Sequence, residues 1–190
     1  DPRDFLAPRP LYNIATQSIS QPGSTFKLAT ALSALEKGLD PNEIINCQGV
    51  MDVGDTKFGC WIWNQYKKTH GYENLRTALR DSCNYYFYAL ALGENPKSNQ
   101  KTGIKLTIED LSKTVKELGL GERTGIEINI PKESKGVVPD STTKKSLTKV
   151  MLKLRLEKEI DKYIQDGKSK EDYDFTKIID TIVNWTEEET

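Results

Sequence analysis

The chain has 190 residues, a formal net charge of −1 and 29% charged residues. That is length enough for one hydrophobic core, with no basic excess that would favour nucleic acid. No run approaches the roughly 20 apolar residues of a membrane span, no signal-peptide pattern is visible, and an odd cysteine count argues against a complete disulfide framework.

Gln21-Pro22-Gly23 reads as a turn, and a helical pattern follows it. Phe26, Ala29, Leu32 and Leu35 supply the apolar positions, and Gly38 stands where a helix stops. Ser24 then lies at a helix N-terminus, where free N–H groups and the dipole favour an oxyanion. Lys27 lies three residues on, on the same face. Ser24-Thr25-Phe26-Lys27 is an S-x-x-K motif, in which a buried lysine of lowered pKa can take the serine proton. Taken alone, the same letters also fit a capping serine beside a solvated lysine.

Residues 40–68 are loop-rich, with turn signals at Asp52-Val53-Gly54-Asp55 and Lys57-Phe58-Gly59 that suggest a hairpin. Core packing is expected for Trp61 and Trp63, with packing beside a metal site as the alternative. Asn74 is an N-cap candidate for a short helix carrying Leu75, Ala78 and Leu79. Ser82-Cys83-Asn84, an S-x-N motif, interrupts that helix, and a second helix follows with Phe87, Leu90 and Ala91 inward and Gly93 at its end. This puts S-x-N on a turn between helices, where its side chains can face a cleft. A polar loop over 95–100 leads to Lys101-Thr102-Gly103 and then to a helix over about 108–118. Thr107 caps that helix, and Leu111, Val115 and Leu118 share one face.

From 141 onward, Leu147, Val150, Met151, Leu154, Ile160 and Ile164 form one helical stripe. Asp166-Gly167-Lys168 breaks it, and Phe175, Ile178, Ile179, Ile182 and Val183 form a second. This reads as an αα-hairpin, packed on itself or, less simply, offered to a partner.

The three cysteines, Cys47, Cys60 and Cys83, and the one histidine, His70, all fall between the two motifs. Cys₃His is a structural zinc set, yet the wide spacing fits equally a disulfide with one free cysteine and a surface histidine.

Pro22-Gly23-Ser24-Thr25-Phe26-Lys27 with its alanine-rich helix resembles the active-site helix of penicillin-binding proteins and serine β-lactamases. The stretch around Ser82-Cys83-Asn84 resembles the S-x-N segment of class B penicillin-binding proteins, above all the penicillin-binding protein 2 group and its sporulation relatives. Leu118-Gly119-Leu120-Gly121-Glu122-Arg123-Thr124-Gly125-Ile126-Glu127-Ile128 resembles the G-x-G-x-x-T-G-I-[DE] segment that follows in those enzymes. The resemblance implies an α/β fold of the penicillin-binding protein transpeptidase/serine β-lactamase type, mainly its helical part. Residues 1–140 would be the N-terminal part of that domain and 141–190 a helical insertion.

It also implies a D,D-transpeptidase of peptidoglycan cross-linking. Ser24 would attack the penultimate D-Ala carbonyl of a stem peptide ending D-Ala-D-Ala, with Lys27 as base. Ser82 would relay a proton, and Asn84 would orient the substrate amide. The Ser24 N–H would be one oxyanion donor, β-lactams would acylate the same serine, and cell-wall synthesis proteins would be partners. The implied location is extracytoplasmic, with a membrane anchor and pedestal expected ahead of Asp1.

Several relatives look as though they hold zinc through a histidine before glycine and the cysteine inside S-x-N. His70-Gly71 and Cys83 match those positions, and Cys47 and Cys60 would complete a structural site.

The chain departs from the family at the third motif. Lys101-Thr102-Gly103 comes before the Gly119–Ile126 segment, in a loop that leads to a helix, so it reads as a decoy for the K-T-G strand. No other K-T-G follows residue 126. Loss of one oxyanion donor costs about 3–4 kcal/mol in hydrolases, so weak activity is expected. Two further readings stand beside this one. A β-lactam sensor or β-lactamase is one, although no convincing deacylating glutamate is found. A non-catalytic interaction platform is the other, and the intact Ser24, Lys27, Ser82 and Asn84 argue against it.

Overall fold

A computed structural model describes residues 13–127, 133–159, 162, 164 and 168–188. Ile128, Ile160, Asp166 and Gly167, each named above, lie outside the described residues. The chain divides into two compact units, Asp1–Val138 and Pro139–Thr190.

In the first unit, α1 (Ile14–Gln17) is a single turn capped by the Asn13 side chain. A 3-10 turn over Gly23–Phe26 runs directly into α2 (Lys27–Glu36). The buried side chains of α2, Ala29, Ala31, Ser33 and Ala34, are all small, which lets neighbouring helices come close. Gly38, at φ 97°, ends the helix, with Gly38 N–H donating to Leu35 O (2.9 Å) and Leu39 N–H to Ala34 O (3.0 Å).

Three antiparallel two-stranded ribbons follow among the described residues. β1 (Ile45–Cys47) pairs with β4 (Gly71–Glu73), setting Ile45 opposite Glu73 and Cys47 opposite Gly71. β2 (Val50–Val53) and β3 (Thr56–Gly59) form the expected hairpin. Its two-residue loop, Gly54-Asp55, has positive φ at the glycine (56°), as a Gly-X hairpin turn requires. β5 (Glu94–Asn95) and β6 (Gln100–Lys101) form the third ribbon.

Between these lie α3 (Trp61–Tyr66), α4 (Leu75–Arg80) and α5 (Asn84–Leu92), with α6 (Ile108–Glu117) after them. Capping boxes open α4 (Asn74 with Thr77) and α6 (Thr107 with Asp110), each satisfying two otherwise orphaned N–H groups. α5 is buried nearly all round through Tyr85, Tyr86, Phe87, Ala89 and Leu90, and it is the centre of the core. Ala91, expected inward, is exposed. α6 packs on α2, where Thr114 Oγ1 donates to Glu36 Oε2 (2.7 Å). Leu118 is 53% exposed because the face of α6 turned to α2 is built on Val115, Ser112 and Thr114, so the expected apolar stripe is cut short.

In the second unit, α7 (Ser141–Glu159) packs against α8 (Phe175–Glu188) after a 3-10 turn over Lys170–Asp172. Lys149 pairs with Asp180 (3.4 Å), and Ile179 is buried. The expected stripe of Leu147, Val150, Met151 and Leu154 is 55–66% exposed. A second apolar set on the same helix, Leu152 and Leu156, is the half-buried one. With Leu at both sets, sequence spacing could not choose between the two faces.

Trp63 lies across the loop between β1 and β2. A Cβ on Gly49 would stand 2.6 Å from its ring, and Gly49 has φ 84°. Gly49→Ala is therefore expected to destabilise the fold by about 2–4 kcal/mol, from left-handed strain plus overpacking. The shift in urea midpoint measures this.

Candidate active site

The second motif is set by the way α4 ends. Asp81 is its C-cap, Ser82 N–H donates to Leu79 O (3.2 Å) and Cys83 N–H donates to Ala78 O (2.8 Å). These are the two bonds of a Schellman motif. The motif needs a left-handed residue, usually glycine, and here that residue is Ser82, at φ 52°. A side chain in this conformation costs about 1–2 kcal/mol, a strain found at functional positions. Cys83 then begins α5, and Asn84 is its first residue.

α2 carries the first motif to the same place. Lys27 Nζ lies 2.6 Å from Ser82 O, 2.6 Å from Asn84 Oδ1, 2.8 Å from Ser82 Oγ and 3.3 Å from Ser24 Oγ. Ser82 Oγ donates to Ser24 Oγ across 3.0 Å. The structure thus brings Ser24, Lys27, Ser82 and Asn84 into one cluster. The two nearest partners of the amine, a carbonyl and an amide oxygen, can only accept. The two hydroxyls can donate or accept. A neutral amine therefore spends its two N–H bonds on Ser82 O and Asn84 Oδ1 and turns its lone pair towards the hydroxyls. Burial pushes the Lys27 amine below its ordinary 10.5, while charge on Cys60 and Cys83 acts the other way. Phe87 packs 5.9 Å from Nζ and shields one side, a contact that the motifs alone do not predict.

The serine itself is exposed, in the 3-10 turn ahead of α2 and one turn outside the α-helix expected there. It keeps the N-terminal position, where the first N–H groups lack intrahelical partners and can meet an anion.

Cys47, Cys60 and Cys83 are buried free thiols in the core. Their sulfurs and a His70 ring nitrogen all lie within 4.8 Å of one another, on β1, on the residue before α3, after α3 and at the start of α5. His70 Nδ1 is 3.5 Å from Cys60 Sγ and 3.8 Å from Cys47 Sγ. A tetrahedral site with metal–ligand bonds of 2.0–2.3 Å has ligand–ligand edges of roughly 3.3–3.8 Å; the two His70–sulfur separations fall at that edge, and the full set spans up to 4.8 Å. Hydrogen bonds from Cys47 and Cys83 hold the Cys60 thiol far below its usual range. The bond to Cys60, with burial, pushes the Cys47 thiol up against an opposing bond to Cys83, and bonds to Cys47 and Cys60, with burial, push the Cys83 thiol up. His70 Nε2 is buried with no hydrogen-bond partner among the described residues, and so is Oε2 of nearby Glu73. Burial raises the Glu73 carboxyl above its ordinary range.

Lys101-Thr102-Gly103 spends its polar groups internally. Thr102 Oγ1 donates to Ile104 O (2.5 Å), Gly103 N–H donates to the Glu43 carboxylate (3.0 Å) and Lys101 pairs with Glu94. Trp61 is also placed differently from expectation. It is 38% exposed at the edge of the cysteine cluster, because its indole N–H reaches the Asp81 carbonyl (3.0 Å) instead of entering the core.

Comparison with known families matches residues 1–153 to the family described as penicillin binding protein transpeptidase domain. Peptidoglycan D,D-transpeptidase MrdA of Acinetobacter baumannii is 35% identical over 136 residues, which cover 70% of this chain and 17% of that protein. Stage V sporulation protein D of Bacillus subtilis is 30% identical over 156 residues, covering 75% of this chain and 22% of that one. Among solved structures, penicillin-binding protein PBP2 of Helicobacter pylori, in complex with MreC, superposes with a TM-score of 0.59 at 36% identity. It covers 72% of this chain and 22% of that one. PBP2 of Pseudomonas aeruginosa in complex with WCK 5153 gives 0.58 at 29% identity, over 74% and 28% of the respective chains. The chain belongs to the penicillin-binding protein transpeptidase domain family, with the fold of that family, and it spans about a fifth of the length of the curated relatives it matches.

The strain at Ser82 can be measured. Ser82→Gly and Ser82→Ala remove the same hydroxyl, but only glycine relieves the left-handed backbone, so the glycine variant is expected to be more stable by about 1 kcal/mol. Equal urea midpoints would show that the turn is unstrained.

Proposed function

We propose that this chain carries the nucleophile and base of a serine D,D-transpeptidase that cross-links peptidoglycan. The observation that carries the reading is the convergence of Ser24 Oγ, Ser82 Oγ and Asn84 Oδ1 on one half-buried amine, Lys27 Nζ. Family membership and the likeness to the D,D-transpeptidase MrdA support it.

In this mechanism the neutral Lys27 amine takes the proton of Ser24 as Oγ attacks the carbonyl of the penultimate D-Ala. The oxyanion meets the Ser24 N–H at the start of the helix. Breakdown of the tetrahedral adduct cleaves the bond to the terminal D-Ala, and Ser82 passes the lysine-held proton to the leaving nitrogen. An amine of a second stem peptide then attacks the Ser24 ester, returns its proton through the same groups and forms the cross-link. Asn84, held by Lys27, presents its amide N–H₂ to the substrate peptide. β-Lactams would acylate Ser24 by the first half of this sequence. Thr102 and Gly103 are engaged internally, so the second oxyanion donor is missing from this motif, and acylation by the chain alone is expected to be slow.

We also propose that Cys47, Cys60, His70 and Cys83 hold a structural zinc ion, a reading supported by the clustered donors and the buried thiols. Zinc would supply local folding energy, while Ser24 does the chemistry. Residue Cys83 lies between Ser82 and Asn84, so fixing its sulfur fixes both neighbours. No described helix of this chain is long and apolar enough to cross a membrane; family membership supports an extracytoplasmic, membrane-anchored setting for the longer protein. There it would work with other cell-wall synthesis proteins, as the Helicobacter pylori relative is seen with MreC.

Intact mass after incubation with penicillin is expected to show a stable adduct that Ser24→Ala abolishes. Lys27→Ala should slow adduct formation by about 10²–10⁴-fold. Because the base must be neutral, the rate should rise with pH through a pKa below 10.5. An adduct that persists in Ser24→Ala would sink this assignment, and rapid release of hydrolysed penicillin would favour a β-lactamase instead. For the metal, elemental analysis of the purified chain is expected to find zinc equimolar with protein, with a lower melting temperature after chelation. A metal-free chain with Cys47 and Cys60 joined in a disulfide would refute the site.

A further inference from the structure

We infer that Trp61 is a positioning residue for the Ser82 turn, acting through its indole N–H. The inference rests on the acylation reading above. Asp81 O is the carbonyl of the residue that closes α4, one of the carbonyls a helix end leaves without an intrahelical donor. Trp61 Nε1 donates to it across 3.0 Å. The next carbonyl, Ser82 O, accepts from Lys27 Nζ at 2.6 Å. The peptide planes on both sides of Ser82 are thus each held by a side chain from another element. Together with the φ of 52°, they fix the direction in which the Ser82 hydroxyl leaves the backbone.

Trp61 is well placed for this task. It directly follows Cys60, so its backbone is set by the cysteine cluster. Its ring lies 5.6 Å from His70, tilted by 58°, and meets Tyr66 edge-on at 6.3 Å. Trp61 is 38% exposed, so its ring sits at the rim of the cluster and not inside the core. Its geometry is that of a strut between the cysteine–histidine cluster and the turn that holds Ser82 and Asn84. Displacement of a positioned group by about an ångström lowers catalytic rates by up to about a hundredfold, so a missing strut should be visible in the chemical step.

The test replaces Trp61 in the full chain with 3-benzothienylalanine, which keeps the ring and loses the N–H. A 7-azatryptophan variant keeps both. With penicillin as probe, the benzothienyl variant is expected to lose about tenfold or more in limiting acylation rate. The apparent dissociation constant should stay within about twofold, because ground-state binding is untouched. Its melting temperature should match the wild type, and the 7-azatryptophan variant should acylate at the wild-type rate. Amide hydrogen exchange at Ser82 and Cys83 should accelerate in the benzothienyl variant alone. Wild-type exchange and acylation in that variant would overturn the inference, as would a fall in melting temperature with rate and affinity lost together. A wild-type chain that forms no adduct would defeat the transpeptidase reading, and the exchange data would still decide whether the indole holds the turn.

Discussion

A lysine amine taken partly out of water must find acceptors or lose its charge, and Lys27 has four oxygens within reach and a pKa lowered by burial. Its four oxygen neighbours come from two elements far apart in sequence, the 3-10 turn ahead of α2 and the α4–α5 turn. The separation between those elements is therefore fixed to within hydrogen-bonding tolerance. The helices that carry them answer this constraint. α2 presents alanines and a serine to the interior, small enough for α4 and α5 to approach, while α5 supplies the bulk through Tyr85, Tyr86 and Leu90. Small side chains on one helix and large ones on the next are what close packing requires where a polar contact dictates the distance.

The turn itself is held from several sides. A Schellman motif sets its backbone, a residue other than glycine bears the left-handed conformation, and the Cys83 sulfur is drawn into the cysteine–histidine cluster. Polar and sulfur groups this deep in a core are costly unless satisfied, and here their satisfaction coincides with the position of Ser82 and Asn84. The strain at Ser82 and the buried thiols make sense together. Each lowers the stability of the isolated turn, and together they leave it few alternative arrangements.

Much of this was legible in the sequence. The N-caps at Asn74 and Thr107, the hairpin around Gly54, and the stops at Gly38 and Gly93 all follow from local chemistry that acts over three or four residues, whereas the grouping of the two motifs, whose Lys27 and Ser82 stand 55 positions apart, is legible only through family resemblance. The failures have a common origin. Leu118 and Ala91 share the spacing of buried neighbours yet face water, because burial is decided by the partner element and not by period alone. In α7 two apolar sets competed, and spacing alone does not separate the half-buried Leu152 and Leu156 from the exposed Leu147 and Leu154. Trp61 was assigned to the core by residue type. Its N–H partner is a carbonyl 20 positions away, and no local signal marks that pairing.

The string Lys101-Thr102-Gly103 keeps the letters of a motif but bonds its polar groups within the loop. Its letters match a strand that should offer a hydroxyl and an N–H to substrate. Here the hydroxyl is turned onto Ile104 O and the N–H onto Glu43, so both groups serve the loop. Ser24 and Ser82 differ in the opposite sense. Their hydroxyls are bonded to each other and to Lys27, which can release them by moving one proton. A polar group bonded to a fixed backbone partner is structural. One bonded to a titratable partner can change its role when that partner changes charge, and by that criterion the hydroxyls of Ser24 and Ser82 suit the proposed site while the Thr102 hydroxyl, held by a backbone carbonyl, does not.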